Sequence, residues 1–385
     1  MSPALTACHS IADLRLLARK RLPKVFFDYI DGAAEDEITM QRNSSGFNKY
    51  ELLPKVLTDV ASVNLSTTIQ GVQTDLPLIF SPTGGQRLFH HLGELAVLPV
   101  AEKENLIFTL SSMATHNIEV VGQAAKCNKW FQIYVWKDRG VVRDFIERCR
   151  VAGYKGLCLT VDVQTSGQRE RDLRNGFTLP PKFTAASLVD MALHPSWWWH
   201  TLSKPTITLA NVAGLTGKAV ENATSMGQNA ASQLDPSVTW DDLAWMIEQW
   251  GGPFLVKGIV RADDAQRAVS TGATGIIISN HGGRQLDHAI APVAALPAIA
   301  EAVGESTQII LDGGIRRGSD IIKALALGAD ACMIGRPYLF GLAAGGQEGV
   351  QRAIDILKSE LQRSMRLLGC NDIRQLNPGL LQLMS

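Results

Sequence analysis

Eight short apolar runs, most of them closed by polar residues or glycine, recur along the chain from residue 76 onward. They are Leu76–Ser81, Leu106–Ser112, Trp130–Val135, Gly156–Asp162, Pro253–Gly258, Gly275–Asn280, Gln308–Gly314 and Ala331–Arg336. Most are continuously apolar, which is typical of strands that are buried on both faces of a parallel sheet. Stretches with a helical pattern lie between most of them; examples are 139–152, 262–271, 293–303 and 319–327. Eight strand–helix units in one chain predict an α/β fold that closes into a (β/α)8 TIM barrel.

A doubly wound sheet is the alternative for such an alternation. Its dinucleotide-binding form would need a Gly-x-Gly-x-x-Gly turn after the first strand. The first apolar run is instead followed by Pro82, Thr83 and Gly84, and no such turn is present there. We therefore expect a single barrel domain that covers residues 1–385.

Two segments depart from the barrel pattern. An N-terminal helical extension is predicted over about residues 1–70, because residues 10–38 have helical spacing and Pro23 is suited to opening a second helix. A long insertion is predicted after the fourth strand, over about residues 163–238, where no strand is clear and Pro, Ser, Thr and Ala are frequent. Long connections in compact domains are usually functional or disordered, and this one lies on the face where barrels hold their active sites.

The composition narrows the classes of partner and compartment. The 37 basic residues balance 37 acidic ones, so charge gives no argument for a nucleic acid as partner. The six cysteines are scattered without a Cys-x-x-Cys pair, which favours a reduced, cytoplasmic protein without a zinc site. We expect neither a signal peptide nor a run of about 20 apolar residues that would span a bilayer.

The stretch SNHGGRQLD, Ser279–Asp287, is the most informative in the chain. Two glycines allow a tight turn and a close approach of the backbone to a ligand. His281 can accept a proton near neutral pH, and Arg284 offers a planar fork of donors for a carboxylate. A polar loop with a solvated histidine and arginine is the alternative, but it does not account for the whole nonapeptide after a buried strand.

All eight predicted strands end in polar residues or glycine. In order along the chain, the residues are Pro82, Thr83 and Gly84; Ser111; Gln132 and Tyr134; Thr160 and Asp162; Lys257; Ser279 and His281; Asp312, Gly313 and Gly314; and Gly335 and Arg336. In a barrel, such residues at the carboxyl ends of the strands converge on one pocket. Packing alone explains any one of them, but not all eight strand ends.

The last two strand ends form a subset suited to phosphate. Loop amides and a helix N-terminus after the seventh and eighth strands of a barrel commonly bind phosphate, and Arg316 and Arg336 add positive charge there. We infer a phosphorylated ligand at Gly313-Gly314 and Gly335-Arg336. Lys257, on the opposite side of the ring of strands, is then expected to face the far end of a long cofactor.

At this point the chain resembles the FMN-dependent α-hydroxy-acid oxidase and dehydrogenase family, which includes glycolate oxidase and the lactate and mandelate dehydrogenases. Besides SNHGGRQLD, the matching stretches are LPKVFFDYIDGAAEDE, TLSSMAT, WFQIYV, LTVD with GQRERDLRNGF, LVKGI, LDGGIRRG and IGRPYLFG. The resemblance covers nearly the whole chain. It implies FMN as cofactor, a small 2-hydroxy acid as substrate, an electron acceptor and a homotetramer.

The resemblance also implies roles for individual residues. For the cofactor, it places the phosphate on Gly314, Arg316, Gly335 and Arg336, and the ribityl chain near Asp312. It places the flavin ring against Pro82, Thr83 and Gly84, with Lys257 beside flavin N1. The polar contacts of the ring are then Ser111, Gln132, Thr160 and Ser279. For the substrate, it implies that Arg169 and Arg284 hold the carboxylate and that Tyr29 and Tyr134 hydrogen-bond around it. His281 is then the base, and Asp162 supports its charged form, as proton abstraction requires. Tyr29 can also be read as ordinary helix packing.

Two departures from the family pattern leave the substrate open. Met113 stands where many members have Trp, and the first strand continues as PTGGQRLFHH where many oxidases have PTAMQ. Gly84, which the resemblance places near flavin N5, favours a dehydrogenase that passes electrons to a quinone or another carrier. A hydroxy-acid oxidase that uses O2 is the alternative, and a non-redox FMN barrel such as an isomerase is a further one.

Three consecutive tryptophans, Trp197–Trp199, lie inside the insertion. Tryptophan often anchors in a bilayer interface, so the segment predicts peripheral contact with the cytoplasmic face of the inner membrane. The same residues can equally pin the insertion onto the barrel.

Overall fold

Four helices precede the barrel in the computed structural model, which describes residues 1–178, 182–202, 207–212 and 234–384. They are α1 (Pro3–Thr6), α2 (Ile11–Arg21), α3 (Lys24–Asp31) and α4 (Ile38–Ser45). The hydroxyl of Ser10 caps α2 by accepting a hydrogen bond from Asp13 N, at 3.2 Å. On α3 the apolar residues Phe26, Phe27 and Ile30 are buried, which holds this helix against the rest of the molecule.

The predicted helical extension to about residue 70 is wrong in its second part. A single turn of 3-10 helix, Gly46–Lys49, ends the helical region and leads into β1 (Tyr50–Leu52). After an irregular stretch, β2 (Thr67–Ile69) and β3 (Val72–Thr74) form an antiparallel hairpin. Each of these strands has three residues, which is too short for a periodic pattern to appear in the sequence.

The eight predicted strands all form, and they close into a parallel barrel. They are β4 (Leu78–Phe80), β5 (Ile107–Ser111), β6 (Lys129–Ile133), β7 (Gly156–Thr160), β8 (Phe254–Ile259), β9 (Gly275–Ile278), β10 (Gln308–Asp312) and β11 (Ala331–Ile334). Neighbours in sequence are neighbours in the barrel, and β11 pairs with β4 to close it. The prediction of a (β/α)8 barrel is therefore confirmed.

The continuous apolar character of these strands follows from burial on both faces. One set of side chains fills the barrel interior, including Ile79, Ile107, Trp130, Leu255 and Ile310. The residues between them face the surrounding helices and belong to the larger core. Ile69, from the tip of the β2–β3 hairpin, packs into the interior cluster and covers the amino-terminal end of the barrel.

The helices that cover the barrel begin and end close to the predicted stretches. They are α5 (Glu94–Lys103), α6 (Ile118–Ala124), α7 (Arg139–Val151), then α11 (Trp240–Trp250), α12 (Ala262–Ser270), α13 (Pro292–Val303), α14 (Gly318–Ala326) and α15 (Arg336–Leu368). The backbone of α15 is interrupted at Gly345 and Gly346. A final strand, β12 (Leu381–Leu383), pairs antiparallel with β1.

The predicted insertion, about 163–238, lies partly outside the described residues. Its described part contains α8 (Glu170–Arg174), α9 (Ala185–Ala192) and α10 (Pro195–Leu202), between β7 and α11 in the chain. Within the part of the chain that the structure describes, no helix is both long and apolar enough to cross a membrane.

Candidate functional site

A cavity of about 470 Å³ opens at the carboxyl ends of the barrel strands. Most of the predicted site residues line it: Tyr29, Pro82, Thr83, Gly84, Ser111, Tyr134, Arg169, Lys257, His281, Arg284, Asp312, Gly313, Gly314, Arg316, Gly335 and Arg336. The other four lie one contact away. Asp162 touches His281, Gln132 touches Ser111, Ser279 touches Lys257, and Thr160 pairs in register with Lys257.

His281 begins a short turn that follows β9 after two intervening residues, and it lies between two polar side chains. Its Nδ1 lies 2.9 Å from Asp162 Oδ1, and its Nε2 lies 3.4 Å from the Tyr134 hydroxyl. An ionised carboxylate can only accept, so Nδ1 carries the proton and Nε2 is left as the basic nitrogen beside Tyr134. The arrangement suits a histidine that takes up a proton at Nε2 while Asp162 stabilises the resulting charge.

Two guanidinium groups converge on the ring of Tyr29. The central carbon of Arg284 lies 4.8 Å from the ring centroid, and that of Arg169 lies 5.6 Å from it. Burial and the nearby charge of Arg169 lower the pKa of Arg284. Two cations held this close repel each other, so the pair gains from an anion bound between them.

Each of these arginines is also held by the protein. Arg284 Nη1 donates to the carbonyl oxygens of Tyr29, at 2.6 Å, and Gly32, at 3.1 Å. Arg169 Nε donates to Asp172 Oδ2 at 2.7 Å. These contacts fix the two side chains while leaving other guanidinium N–H groups for a carboxylate.

Lys257 lies at the centre of a buried polar network. Its Nζ is 2.6 Å from Asp312 Oδ2 and donates to Ser279 Oγ at 2.9 Å. Asp312 also accepts from Ser81 and Ser279, at 2.7 and 2.8 Å. A buried ammonium requires a counter-charge, and Asp312 on β10 supplies it. The expectation that Lys257 faces the far end of a long cofactor stays a prediction.

Opposing effects set the charge state of this pair. Burial alone would lower the pKa of Lys257, but Asp312 and Asp162 raise it above its ordinary value. Burial would likewise raise the pKa of Asp312, but Lys257 and the two serines lower it. A fixed ammonium is thereby kept in the wall of the cavity.

The predicted phosphate end combines a glycine turn with two arginines. Gly314 has φ 83°, and a Cβ there would lie 2.0 Å from the carbonyl oxygen of Asn43, so only glycine fits. Gly335 directly precedes α15, whose N-terminus presents unpaired backbone N–H groups. Burial lowers the pKa of Arg316 to about 10 and, together with Arg284 and Arg316, that of Arg336 to about 9.

Within the described residues, the side chains of these two arginines donate hydrogen bonds to carbonyl oxygens and not to carboxylates. Arg336 donates to the carbonyl oxygens of Ile30, Gly32 and Gly282, and Arg316 donates to its neighbour Ile315, but neither forms an ion pair there. A phosphate would supply a negative charge. On β6, the buried Gln132 Nε2 has no hydrogen-bond partner among the described residues. This N–H group is suited to donate to a carbonyl group of a flavin ring. The donor set fits FMN.

Several residues of the site were not predicted from the sequence. Asp172 holds Arg169, Ser81 holds Asp312, and Tyr338 bonds to Thr83 and to the carbonyl of Ser81. Ser81 ends the first apolar run and Asp172 lies in the GQRERDLRNGF stretch, so a signal existed for both. Phe177 and Leu209, which also line the cavity, come from the region of the insertion, whose path the sequence pattern does not reveal.

Comparisons with known proteins match both the sequence and the fold. The profile of the FMN-dependent dehydrogenase family matches residues 18–383. A putative L-lactate dehydrogenase of Mycobacterium tuberculosis is 42% identical over 97% of this chain and 89% of its own length. An L-lactate oxidase of Nostoc sp. is 42% identical over 99% of this chain and all of its own length.

Among solved structures, the chain is similar to a monotopic membrane protein, (S)-mandelate dehydrogenase. The two share 37% sequence identity with a TM-score of 0.94, over 98% of this chain and 100% of the other.

Proposed function

This chain belongs to the FMN-dependent dehydrogenase family, and on that premise we propose that it oxidises an L-2-hydroxy acid to the 2-oxo acid. The observation that carries the proposal is the convergence of Arg169, Arg284 and the His281–Asp162 pair on one cavity. A carboxylate clamp beside a base is the arrangement that a 2-hydroxy acid requires. A non-redox barrel would have no need of this combination.

The two arginines bind and orient the substrate. The carboxylate would lie between the guanidinium groups of Arg169 and Arg284, with the hydroxyl group of Tyr134 beside it. Binding at two points fixes the plane of the carboxylate. A contact between the C2 hydroxyl group and His281 would then set the rotation about the C1–C2 bond, so that the groups on C2 have defined directions. Tyr29, which carries both guanidinium groups on its ring, contributes to this alignment.

His281 takes the proton from the substrate at Nε2. The imidazolium that forms is stabilised by Asp162, which stays ionised and keeps Nδ1 protonated throughout. Tyr134, 3.4 Å from the same nitrogen, restricts the direction from which the proton arrives.

For the cofactor, we propose that Arg316, Arg336 and the glycine turns hold the phosphate, and that Pro82, Thr83 and Gly84 carry the flavin ring. Gln132, Ser111, Thr160 and Ser279 supply polar groups, and Asp312 lies toward the ribityl chain. Lys257 keeps a positive charge in the wall of the cavity. Oxidation of the CH–OH group releases two electrons and two protons. His281 takes one proton, and FMN, when bound, would accept the two electrons with the other proton and supply the electrons to an acceptor.

The test is anaerobic bleaching of the bound flavin by a panel of L-2-hydroxy acids from glycolate to mandelate, in the wild type and in His281→Gln. We expect rapid bleaching of the wild type by at least one acid, with FMN retained but bleaching slowed by about 10²–10⁴-fold in the variant. D-enantiomers are the matched control. No bleaching of the wild type by any acid contradicts the function, and near-normal bleaching of the variant removes His281 from it.

We infer that the substrate has an apolar side chain. The cavity wall also includes the apolar residues Leu88, Phe89, Met113, Phe177 and Leu209. Two similar proteins are named for lactate and for mandelate. Lactate carries a methyl group and mandelate a phenyl group, and both groups suit such a wall. In the same panel, an acid with a charged side chain should bleach the flavin more slowly than lactate does.

We propose further that electrons leave to a quinone or another carrier, that the chain forms a homotetramer, and that it contacts a membrane peripherally. Exposed apolar residues on and after α9 support the last point: Leu188, Val189 and Leu193 are 55–73% exposed, and Trp199 on α10 is 65% exposed. An exposed apolar surface of this kind suits the interface of a bilayer.

A further inference from the structure

The turn that carries His281 has an unfavourable backbone conformation. His281 has φ 58°, followed by Gly282 at 66° and Gly283 at 77°. Glycine adopts this left-handed region freely, but a histidine does so only when its surroundings impose it. The contacts that impose it therefore decide where the imidazole lies.

Asn280 supplies the contacts within the turn, and its side-chain amide is fully used. Oδ1 accepts from Asn43 Nδ2 at 2.7 Å and from Gly283 N at 3.2 Å, and the same Gly283 N–H also donates to the Asn280 carbonyl at 3.0 Å. Nδ2 donates to Asn43 Oδ1 at 2.7 Å and to the carbonyl of Ile290 at 3.0 Å. Two acceptor sites and two donors are the whole capacity of this group, so its orientation is fixed.

Asn43 provides two of these four hydrogen bonds from a different part of the chain. It lies on α4, is 2% exposed, and forms with Asn280 a reciprocal pair in which each amide donates to the other. The same region makes further contacts with the turn, since Ala34 N donates to Gly283 O and Thr39 N donates to Asp287. The N-terminal helices thus hold the turn from outside the barrel.

We propose that Asn43 is a positioning residue for the proposed reaction: it orients Asn280, which holds the His281 turn in its left-handed conformation and the imidazole against Asp162. The inference rests on the proposed role of His281. It assigns to the N-terminal extension a part in catalysis beyond packing.

Asn43→Asp tests the proposal through its pH dependence. A protonated carboxyl group has the shape and the donor of the amide, and can keep both hydrogen bonds to Asn280. Once ionised, it places an acceptor against Asn280 Oδ1 and breaks one of them. We expect the rate of flavin bleaching, as a ratio to the wild type, to be near one at low pH and to fall at least tenfold as the pH rises through the pKa of the introduced carboxyl.

The wild type and Asn43→Asp share the other titratable groups near this position, so the effect of those groups on the bleaching rate cancels in the ratio of variant to wild type. They are His281 and Asp287 on the turn, Arg316 beyond Gly314, and Lys323 on α14, which donates to the carbonyl of Phe47. Asn43→Ala lacks any titratable group, and its ratio should be low but independent of pH. Asn64→Asp is the matched control, because that amide pairs with Asp372 outside the cavity and its ratio should stay near one.

Hydrogen exchange at Gly283 N provides a reading that does not depend on the reaction. In the FMN-loaded protein without substrate, exchange at this amide should be at least tenfold faster in Asn43→Asp than in the wild type at high pH, and equal at low pH. A pH-independent rate ratio in Asn43→Asp, or unchanged exchange at Gly283, overturns the proposal. If no 2-hydroxy acid bleaches the wild type, the proposed function fails while the exchange experiment still reports on Asn43.

Discussion

At the scale of single residues, Arg284 offers a direct test of the substrate clamp. Lysine keeps the charge at this position but loses the planar fork that reaches two oxygens. Hydrogen bonds to charged groups contribute about 1.5–3 kcal/mol, so Arg284→Lys should lower kcat/KM for the best acid by about 10–100-fold. Steady-state kinetics measures this. Arg317→Lys, at an exposed arginine paired with Glu360, is the control, and an unchanged KM in Arg284→Lys would contradict the clamp.

The buried Lys257–Asp312 pair predicts a dependence of stability on pH. The pKa of Asp312 is lower in the folded than in the unfolded chain, so its stabilisation is complete above its unfolded value of about 4 and is lost as the pH falls further. Asp312→Asn leaves the ammonium without its partner and should cost about 3–5 kcal/mol in free energy of unfolding near pH 7. Denaturation at several pH values should show the gap between wild type and variant narrowing below pH 4. A constant gap would mean that the carboxylate charge is not what stabilises the pair.

The site residues that the strand pattern alone predicts share one property: a barrel sends the end of every strand to the same face. That rule locates His281, Lys257 and Asp312 without any knowledge of contacts. Tyr29 and Arg169 do not end a strand, and only the family resemblance implied them. The rule does not locate Asn43 and Asp172, because they lie on helices outside the strand pattern and act through a partner residue. Their importance arises from contacts between distant parts of the chain, which periodicity does not encode.

At the scale of elements, two of the three tryptophans on α10 have different surroundings. Trp197 stacks on Phe26 at 4.6 Å, and its indole N–H donates to the carbonyl of Leu88 at 2.8 Å, so it fastens the helix to the barrel. Trp199 is mostly exposed. The interpretation as a loop anchor therefore describes Trp197, while the proposed membrane contact rests on Trp199 and the apolar residues of the α9 region.

Substituting the two tryptophans separately should separate the two roles. Trp197→Ser should lower the free energy of unfolding by about 1–3 kcal/mol, whereas Trp199→Ser should change it by no more than about 0.5 kcal/mol. Trp199→Ser, combined with Leu193→Ser, should instead reduce sedimentation of the protein with phosphatidylglycerol-containing vesicles several-fold. The wild type without vesicles is the control for aggregation. A wild type that never sediments with vesicles would leave α10 with its structural role alone.

At the scale of the whole molecule, the barrel was predictable because its regularity is repeated eight times, so an error in one strand does not change the conclusion. The parts that break the repeat were not. The β2–β3 hairpin was missed because three-residue strands carry no pattern, and α8, α9 and α10 were missed because Pro, Ser and Thr obscure short helices in the insertion.

The fate of the electrons is also a property of the whole molecule, since it depends on what reaches the flavin. Gly84 leaves no room for a side chain, as a Cβ there would lie 2.9 Å from the carbonyl of Met113. We expect the substrate-reduced protein to react slowly with air-saturated buffer and rapidly with a soluble quinone, measured by the return of flavin absorbance. Rapid return in air with stoichiometric hydrogen peroxide would make the protein an oxidase, as the name of the Nostoc relative suggests for that protein.

The pairing of β1 with β12 has a consequence for the order in which the structure is completed. Tyr50 lies opposite Leu383, so a strand made early in synthesis has its partner made after every strand of the barrel. Until then, the edge of β1 has no strand beside it, although Ile69 and the β2–β3 hairpin can already pack on the barrel. The barrel strands are therefore synthesised before β12, and we expect the pairing of β1 with β12 to be the last step of assembly.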